Sequence, residues 1–264
     1  MKLFKKKEQY VPLVGITGVG EDYNVYVLNK KERITGFIIG FVAGFAAMYI
    51  MFSVIIASLI LGIGIGFAAI PVYRNYLQEK RKKAILMQFR DVLDSLSNSY
   101  SSGKNTPDAF TDAYHDMKMA CGEDEPMTKE LAVVVQGLQN NFVIEDLLRD
   151  MALRCGLDDI NSFAETFAVC NRLGGNLKKI VSESRDIITE KIEIEMEIQT
   201  TVASNKNEIN IMAFMPFVIV ALMQALGQDA ITENTPLNIL VKILALIAFA
   251  VAYVIGRRIT DIKI

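Results

Sequence analysis

The 264-residue chain has no tryptophan, a single histidine and three cysteines. The histidine, His115, stands between Asp112 and Asp116 with no nucleophile at a matching spacing, which speaks against triad-type catalysis. Cys121, Cys155 and Cys170 are widely spaced and form no C-x-x-C pair. They read as reduced, partly buried small residues rather than as a disulfide framework or a metal site. Charge is missing altogether from Ile34 to Tyr73. No apolar run follows the early lysines Lys2, Lys5, Lys6 and Lys7 for another 26 residues, which excludes a cleavable signal peptide.

The charges that are present lie in blocks. Residues 1–33 carry a net +3, 34–73 none, 74–208 a net −6 and 209–264 a net +1. That segregation, in a chain that is 52% hydrophobic, excludes a single soluble globule and a disordered chain. At about 1.5 Å per helical residue the uncharged run is roughly 60 Å long, enough for two crossings of a ~30 Å hydrocarbon core with a turn near Tyr49–Ser53. Ile209–Leu226 and Leu237–Gly256 are each long enough for one more. The predicted fold is an all-α integral membrane protein with four transmembrane helices and a helical cytoplasmic domain between spans two and three. Its parts are an N-terminal segment 1–33, a hairpin 34–73, a domain 74–208, a second hairpin 209–256 and a tail 257–264.

Orientation follows from the basic flanks. Lys30, Lys31 and Arg33 precede the first span, Arg74 and Lys80–Lys83 follow the second, and Arg257, Arg258 and Lys263 follow the fourth. The loop at 227–236 holds Asp229 and Glu233 and no basic residue. Both termini and the middle segment are therefore expected in the cytoplasm of a cell-membrane protein. Lys242, six residues into the last span, is expected to snorkel rather than line an ion path. Transport through this chain alone is not expected, because no Asp, Glu, Arg or His lies inside a span.

Small residues recur every four positions: Gly36, Gly40 and Gly44 in the first span, Ser58, Gly62 and Gly66 in the second, and Ala248, Ala252 and Gly256 in the fourth. They read as packing faces where lipid supplies no hydrophobic drive for helix association. Their partner is either internal or a second membrane protein. Pro216 is expected to bend the third span.

Helices are predicted over 79–102, with Ile85, Leu86, Phe89, Val92, Leu93 and Leu96 on one buried face, and over 126–139, 144–155 and 158–173. Gly103 reads as a C-cap, and Thr106-Pro107-Asp108 as an N-cap, a first-turn proline and a dipole-matching acid. Gly174-Gly175-Asn176 breaks the chain before a final helix from Leu177, with Leu177, Ile180, Ile187 and Ile194 as its stripe. Ile192–Ile198 alternates with Glu193, Glu195 and Glu197 as a strand would, yet reads as helix because no Gly or Pro interrupts 176–215. Those carboxylates are either solvated or face a basic partner.

No catalytic, cofactor or metal residues are assigned. Gly15, Gly18 and Gly20 lack a following G-K-[ST], and Gly103-Lys104-Asn105 lacks the hydroxyl of a phosphate loop. Glu145, Asp146, Asp158 and Asp159 stand where helix N-termini favour acids. No nucleic-acid partner is expected.

Within this frame, Phe89-Arg90-Asp91-Val92-Leu93-Asp94-Ser95-Leu96, then Ser102-Gly103 with Pro107-Asp108-Ala109-Phe110, resembles the first half of a type II secretion F-domain. Glu145-Asp146-Leu147-Leu148 with Arg154, then Leu173-Gly174-Gly175-Asn176-Leu177, resembles its second half. Together with the order of spans, over about residues 75–256, the chain is similar to inner-membrane platform proteins of tight-adherence (Tad, or Flp) pili, which carry one such domain. The resemblance implies a machine part without catalysis of its own. It would dock on a cytoplasmic hexameric secretion ATPase, work with a second F-domain platform protein or a copy of itself, and act on pilin or prepilin subunits in the lipid. Gly103, Lys104, Gly174, Gly175, Asn176 and Lys178 are the candidates for partner contact. The alternatives are a permease subunit driven by a separate ATPase and a membrane sensor or scaffold. Tyr10–Leu28 matches no family motif; Val25–Leu28 reads as either a short strand or a tether.

Overall fold

The computed structural model describes residues 13–52, 54–226 and 236–260. The basic run Lys2–Lys7, the loop holding Asp229 and Glu233, and Lys263 lie outside the described residues. Among those described, every regular element is a helix: α1 (Lys30–Phe52), α2 (Ile55–Ser101), α3 (Thr106–Cys121), α4 (Pro126–Gln139), α5 (Ile144–Cys155), α6 (Asp158–Leu173), α7 (Leu177–Ala225) and α8 (Pro236–Thr260).

The boundaries of α4, α5 and α6 coincide with those read from the sequence, because each is punctuated by a strong local signal. Pro126 opens α4 in its first turn, and Gly156 (φ 59°) and Gly174 (φ 67°) close α5 and α6 in the left-handed conformation. The α3 cap differs by one residue. Asn105, not Thr106, accepts the Asp108 N–H on its side chain. The segment 79–102 is not a helix of its own but the second half of the 47-residue α2, in which Pro71 is accommodated. Composition changes at Arg74 while helix propensity does not, so nothing there ends the helix.

The chain forms two compact units. The first comprises the described residues up to Val27 together with Asn75–Ile192. The N-terminal stretch thus packs with the helices of this unit, whose last residue is Ile192 within α7. All six apolar residues read as the inner face of the second half of α2 are buried. They meet Phe110, Met117, Leu131, Leu148, Phe163 and Phe167 in one core, with Phe89 edge-on to Phe163 at 5.4 Å. The buried face of α7 is Val181, Ile188 and Ile192. Ile187 and Ile194, expected on that stripe, are exposed. Adjacent isoleucines offer two rows there, and the core takes the one in register with Val181. Arg185–Asp94 (3.1 Å) and Lys191–Asp159 (2.7 Å) tie α7 to α2 and α6.

The second unit comprises Leu28–Arg74 and the described residues from Glu193 onward. Three helical stretches in the described residues are long and apolar enough to cross a membrane: Lys30–Ile50, the N-terminal half of α2 and Asn238–Gly256. The apolar stretch of α7, Asn207–Met223, falls just short of that length. The Glu-rich stretch 192–198 is helical, within α7. Lys242 is buried.

Candidate functional site

The densest polar cluster lies where the N-terminal stretch crosses the first unit. On α5, Leu147, Met151 and Arg154 follow the three-to-four spacing of one buried face, so the helix places a guanidinium where its apolar row ends. That charge needs partners. Glu130 of α4 supplies one, with Arg154 Nη1 donating to Oε1 at 2.5 Å, and Asp150 one turn earlier accepts from Nε at 2.9 Å. Arg154 and Glu130 are both essentially inaccessible to solvent.

A loop of residues 13–22 covers the cluster. Its glycines are there for space: a Cβ on Gly20 would stand 2.5 Å from Arg154 Nη1, and one on Gly15 would meet Asp150 Oδ2 at 3.1 Å. Gly18 (φ 74°) turns the chain, its N–H donating to the Gly15 carbonyl. The Asp22 carboxylate closes the loop, accepting from the N–H groups of Leu13 (2.8 Å) and Asn24 (2.9 Å), and the Ile16 N–H donates to Asp150. Tyr23 is the one large apolar anchor. It is buried, its N–H donates to the Arg154 carbonyl at 2.9 Å, and the Arg81 guanidinium of α2 lies over its ring. Asn24 donates to the Leu153 carbonyl and accepts from Gln78 of α2 at 2.7 Å. Gly156 is also fixed by this contact, since a Cβ there would collide with Asn24 Oδ1. The stretch left without a role by the sequence thus clasps α2, α4 and α5 together.

Burial pushes the Glu130 carboxyl above its ordinary range, against the opposing pull of Arg154. Burial alone would weaken the Arg154 cation, but its hydrogen bond to Glu130 and the nearby carboxylates outweigh that and hold the proton more firmly. The Tyr23 phenol and the Cys155 thiol are both raised by burial and then by the Glu130 charge. Tyr23, Cys155 and Arg154 keep their protons, and the arrangement acts as a lock.

The candidate contact residues lie in two turns. Gly103 (φ 80°) closes α2, and Lys104 reaches Asp112 Oδ2 at 2.5 Å, a carboxylate that also accepts from Ser99. Those two bonds, that from Lys104 first, hold Asp112 below its ordinary value. Lys104 is thus engaged within the α2–α3 turn. Gly174 caps α6, and Asn176 caps α7 by accepting the Lys179 N–H at 3.1 Å. Gly175 donates to the Cys170 carbonyl, and a Cβ on it would crowd the Cys170 sulfur. Lys178 is exposed. Among the described residues no hydrogen bond or ion pair joins one turn to the other. His115 is exposed beside Tyr114, and Cys121 is exposed rather than partly buried.

In the second unit, Gly36, Gly40 and Gly44 of α1 and Ser58, Gly62 and Gly66 of α2 are buried, the five glycines against the facing helix. A Cβ on Gly40 would lie 2.4 Å from that of Ala69 and 3.1 Å from the Gly66 backbone; one on Gly44 would meet Ile65, and one on Gly62 would meet Phe45. Gly64, on the opposite side, meets nothing. Ser58 returns its hydroxyl to the Val54 carbonyl at 2.8 Å.

Sequence reasoning set the Gly15–Gly20 patch aside once a phosphate loop was excluded, and it left Glu130 and Tyr23 unremarked. The available signal was a glycine cluster followed by a tyrosine, together with an arginine on the apolar row of a helix. Comparisons with protein-family models, curated protein sequences and solved structures find no match to this chain.

Proposed function

We propose that this chain is a four-span platform protein of the cell membrane for a Tad-type or type IV-like pilus, or for a type II secretion machine. In this reading both termini and residues 74–208 are cytoplasmic, and the helical unit docks a hexameric secretion ATPase. The spans then pass its motion to pilin subunits, in company with a second F-domain protein or another copy of the chain. The platform does no chemistry itself. The observation that carries the reading is that α2 and α7 are each one unbroken helix, apolar at one end and packed into the helical core at the other. A machine driven by a separate ATPase needs such elements to link a cytosolic surface to the bilayer. The F-domain-like motifs and the close-packed small-residue hairpin add to it.

The test is co-purification of the full chain with a hexameric secretion ATPase from the same cell. Lys178→Glu is the informative variant, because Lys178 is exposed whereas reversal at Lys104 would also set two carboxylates against each other in the α2–α3 turn. Weakened co-purification, with the protein still in the membrane, supports the reading. Unchanged co-purification removes the Gly174–Lys178 turn from the contact surface. A reporter fused at Lys104 should read as cytoplasmic, and an external signal there would sink the proposal.

A further inference from the structure

The core takes one isoleucine row of α7 and leaves a second row outward. Val181, Ile188 and Ile192 are buried, whereas Ile180 is half-buried and Ile187 and Ile194 are 63 and 46% exposed. These last three are spaced by seven, the interval that keeps side chains on the seam between two paired helices. Glu183, Glu190 and Glu197 repeat at the same interval, each three residues after an isoleucine, and all three are exposed. Residues three apart are neighbours on a helix surface, so the acidic row borders the apolar one along its length. α7 is unbroken over the whole stretch, and the two rows lie side by side by helix geometry alone.

The charge beside the seam indicates what covers it. Residues 183–197 hold six acids, Glu183, Asp186, Glu190, Glu193, Glu195 and Glu197, against Arg185 and Lys191. Both bases are engaged by other carboxylates, Arg185 by Asp94 and Asp186 and Lys191 by Asp159. A second copy of the same seam would set one glutamate row against another, and like charges at that approach repel. An anionic lipid surface would repel the row as well. The cover that satisfies both rows is a helix whose apolar row is flanked by Lys or Arg.

We propose that the seam of Ile180, Ile187 and Ile194 is the docking face for a basic amphipathic helix of another protein, whose apolar row packs on the isoleucines while its Lys or Arg side chains pair with Glu183, Glu190 and Glu197. The isoleucines hold the partner and the glutamates select it.

The test is photo-cross-linking of the full chain in its own cells, with benzoylphenylalanine placed at position 187 or, as a second variant, at 194. The same probe at 119, where Met119 is 88% exposed on α3, is the reference for chance collision. Cross-linked peptides are sequenced. The expected result is adducts at 187 and 194 to one protein, through a segment that sets Lys or Arg beside apolar residues at three- and four-residue spacing, with far less adduct at 119. Glu183→Gln, Glu190→Gln and Glu197→Gln together keep the helix and should cut the yield at 187 about fivefold, the loss of three exposed ion pairs. Lys at the same three positions should cut it further, a graded loss that follows charge rather than shape. Adducts to lipid alone, to a second copy of this chain or to an acidic segment overturn the proposal. So does a yield at 187 no higher than at 119, or one that the Gln and Lys substitutions leave unchanged.

Discussion

The guanidinium of Arg81 lies 4.3 Å from the centre of the Tyr23 ring, and the same side chain holds the Glu21 carboxylate at 2.5 Å. One residue of α2 thereby grips both the aromatic anchor of the clasp and the acidic side chain two residues before it. Truncation should be costly at the anchor and mild at the grip. Tyr23→Ala should lower the stability of the helical unit by about 3–5 kcal/mol. Arg81→Ala should cost about 0.5–2 kcal/mol, given its partial exposure. Denaturant unfolding of the detergent-solubilised protein, followed by circular dichroism, reads both.

The Arg154–Glu130 pair should behave asymmetrically. Arg154→Ala leaves a buried carboxylate uncompensated and should destabilise by about 3–5 kcal/mol. Replacing both partners by apolar residues of similar volume, Arg154→Met with Glu130→Leu, should recover most of that loss. If the double variant is as unstable as the single, the pair does more than neutralise itself.

Titration of the same site sets a pH dependence. Burial raises Glu130 in the folded unit above its unfolded value of about 4.3. Between those two values the folded state binds more protons than the unfolded chain. Its contribution is therefore complete below the window and is lost as pH rises through it. Asp112 is lowered by Lys104 and Ser99 and acts in the opposite sense. Its contribution is complete above the unfolded value, about 3.9, and is lost as pH falls through the folded one. Unfolding curves between about pH 3 and about pH 8 should lose the first slope in Glu130→Gln and the second in Asp112→Asn.

Gly40→Leu places a side chain where Ala69 already stands. It should destabilise the α1–α2 contact by about 1–3 kcal/mol while leaving the helix itself intact, since Leu is a good helix former. Gly64→Leu, which meets nothing, and the conservative Ile38→Leu should be nearly silent. Thermal melting in detergent compares the three, and equal melting points would remove this contact from the stability of the hairpin.

Much of the helical unit was legible because its breaks are chemical. Pro126, Gly156 and Gly174 end or begin helices wherever they fall, so α4, α5 and α6 could be bounded from sequence. The facing of α7 was not legible. Ile187 and Ile188 satisfy two helical rows equally, and only contact with the rest of the core selects one. The join within α2 was missed for a related reason: a change from apolar to charged composition alters the solvent a helix prefers, not its backbone. The clasp was the hardest to see. Gly20 and Tyr23 have no local pattern, and the reason for them, Arg154, lies far along the chain.

That separation also sets the order of events during synthesis. The amide of Asn24 finds the carbonyl of Arg154 across 130 residues of sequence. At about 5–20 residues per second a ribosome needs roughly 6 to 26 s to deliver the second partner after the first. By then α1 and the apolar half of α2 have long emerged, so their glycine-lined contact can form before the helical unit can close. Tyr23 waits through that interval without its pocket. A nascent chain arrested before Arg154 would carry the stretch from Gly15 to Asn24 undocked, a state that limited proteolysis can distinguish from the finished protein.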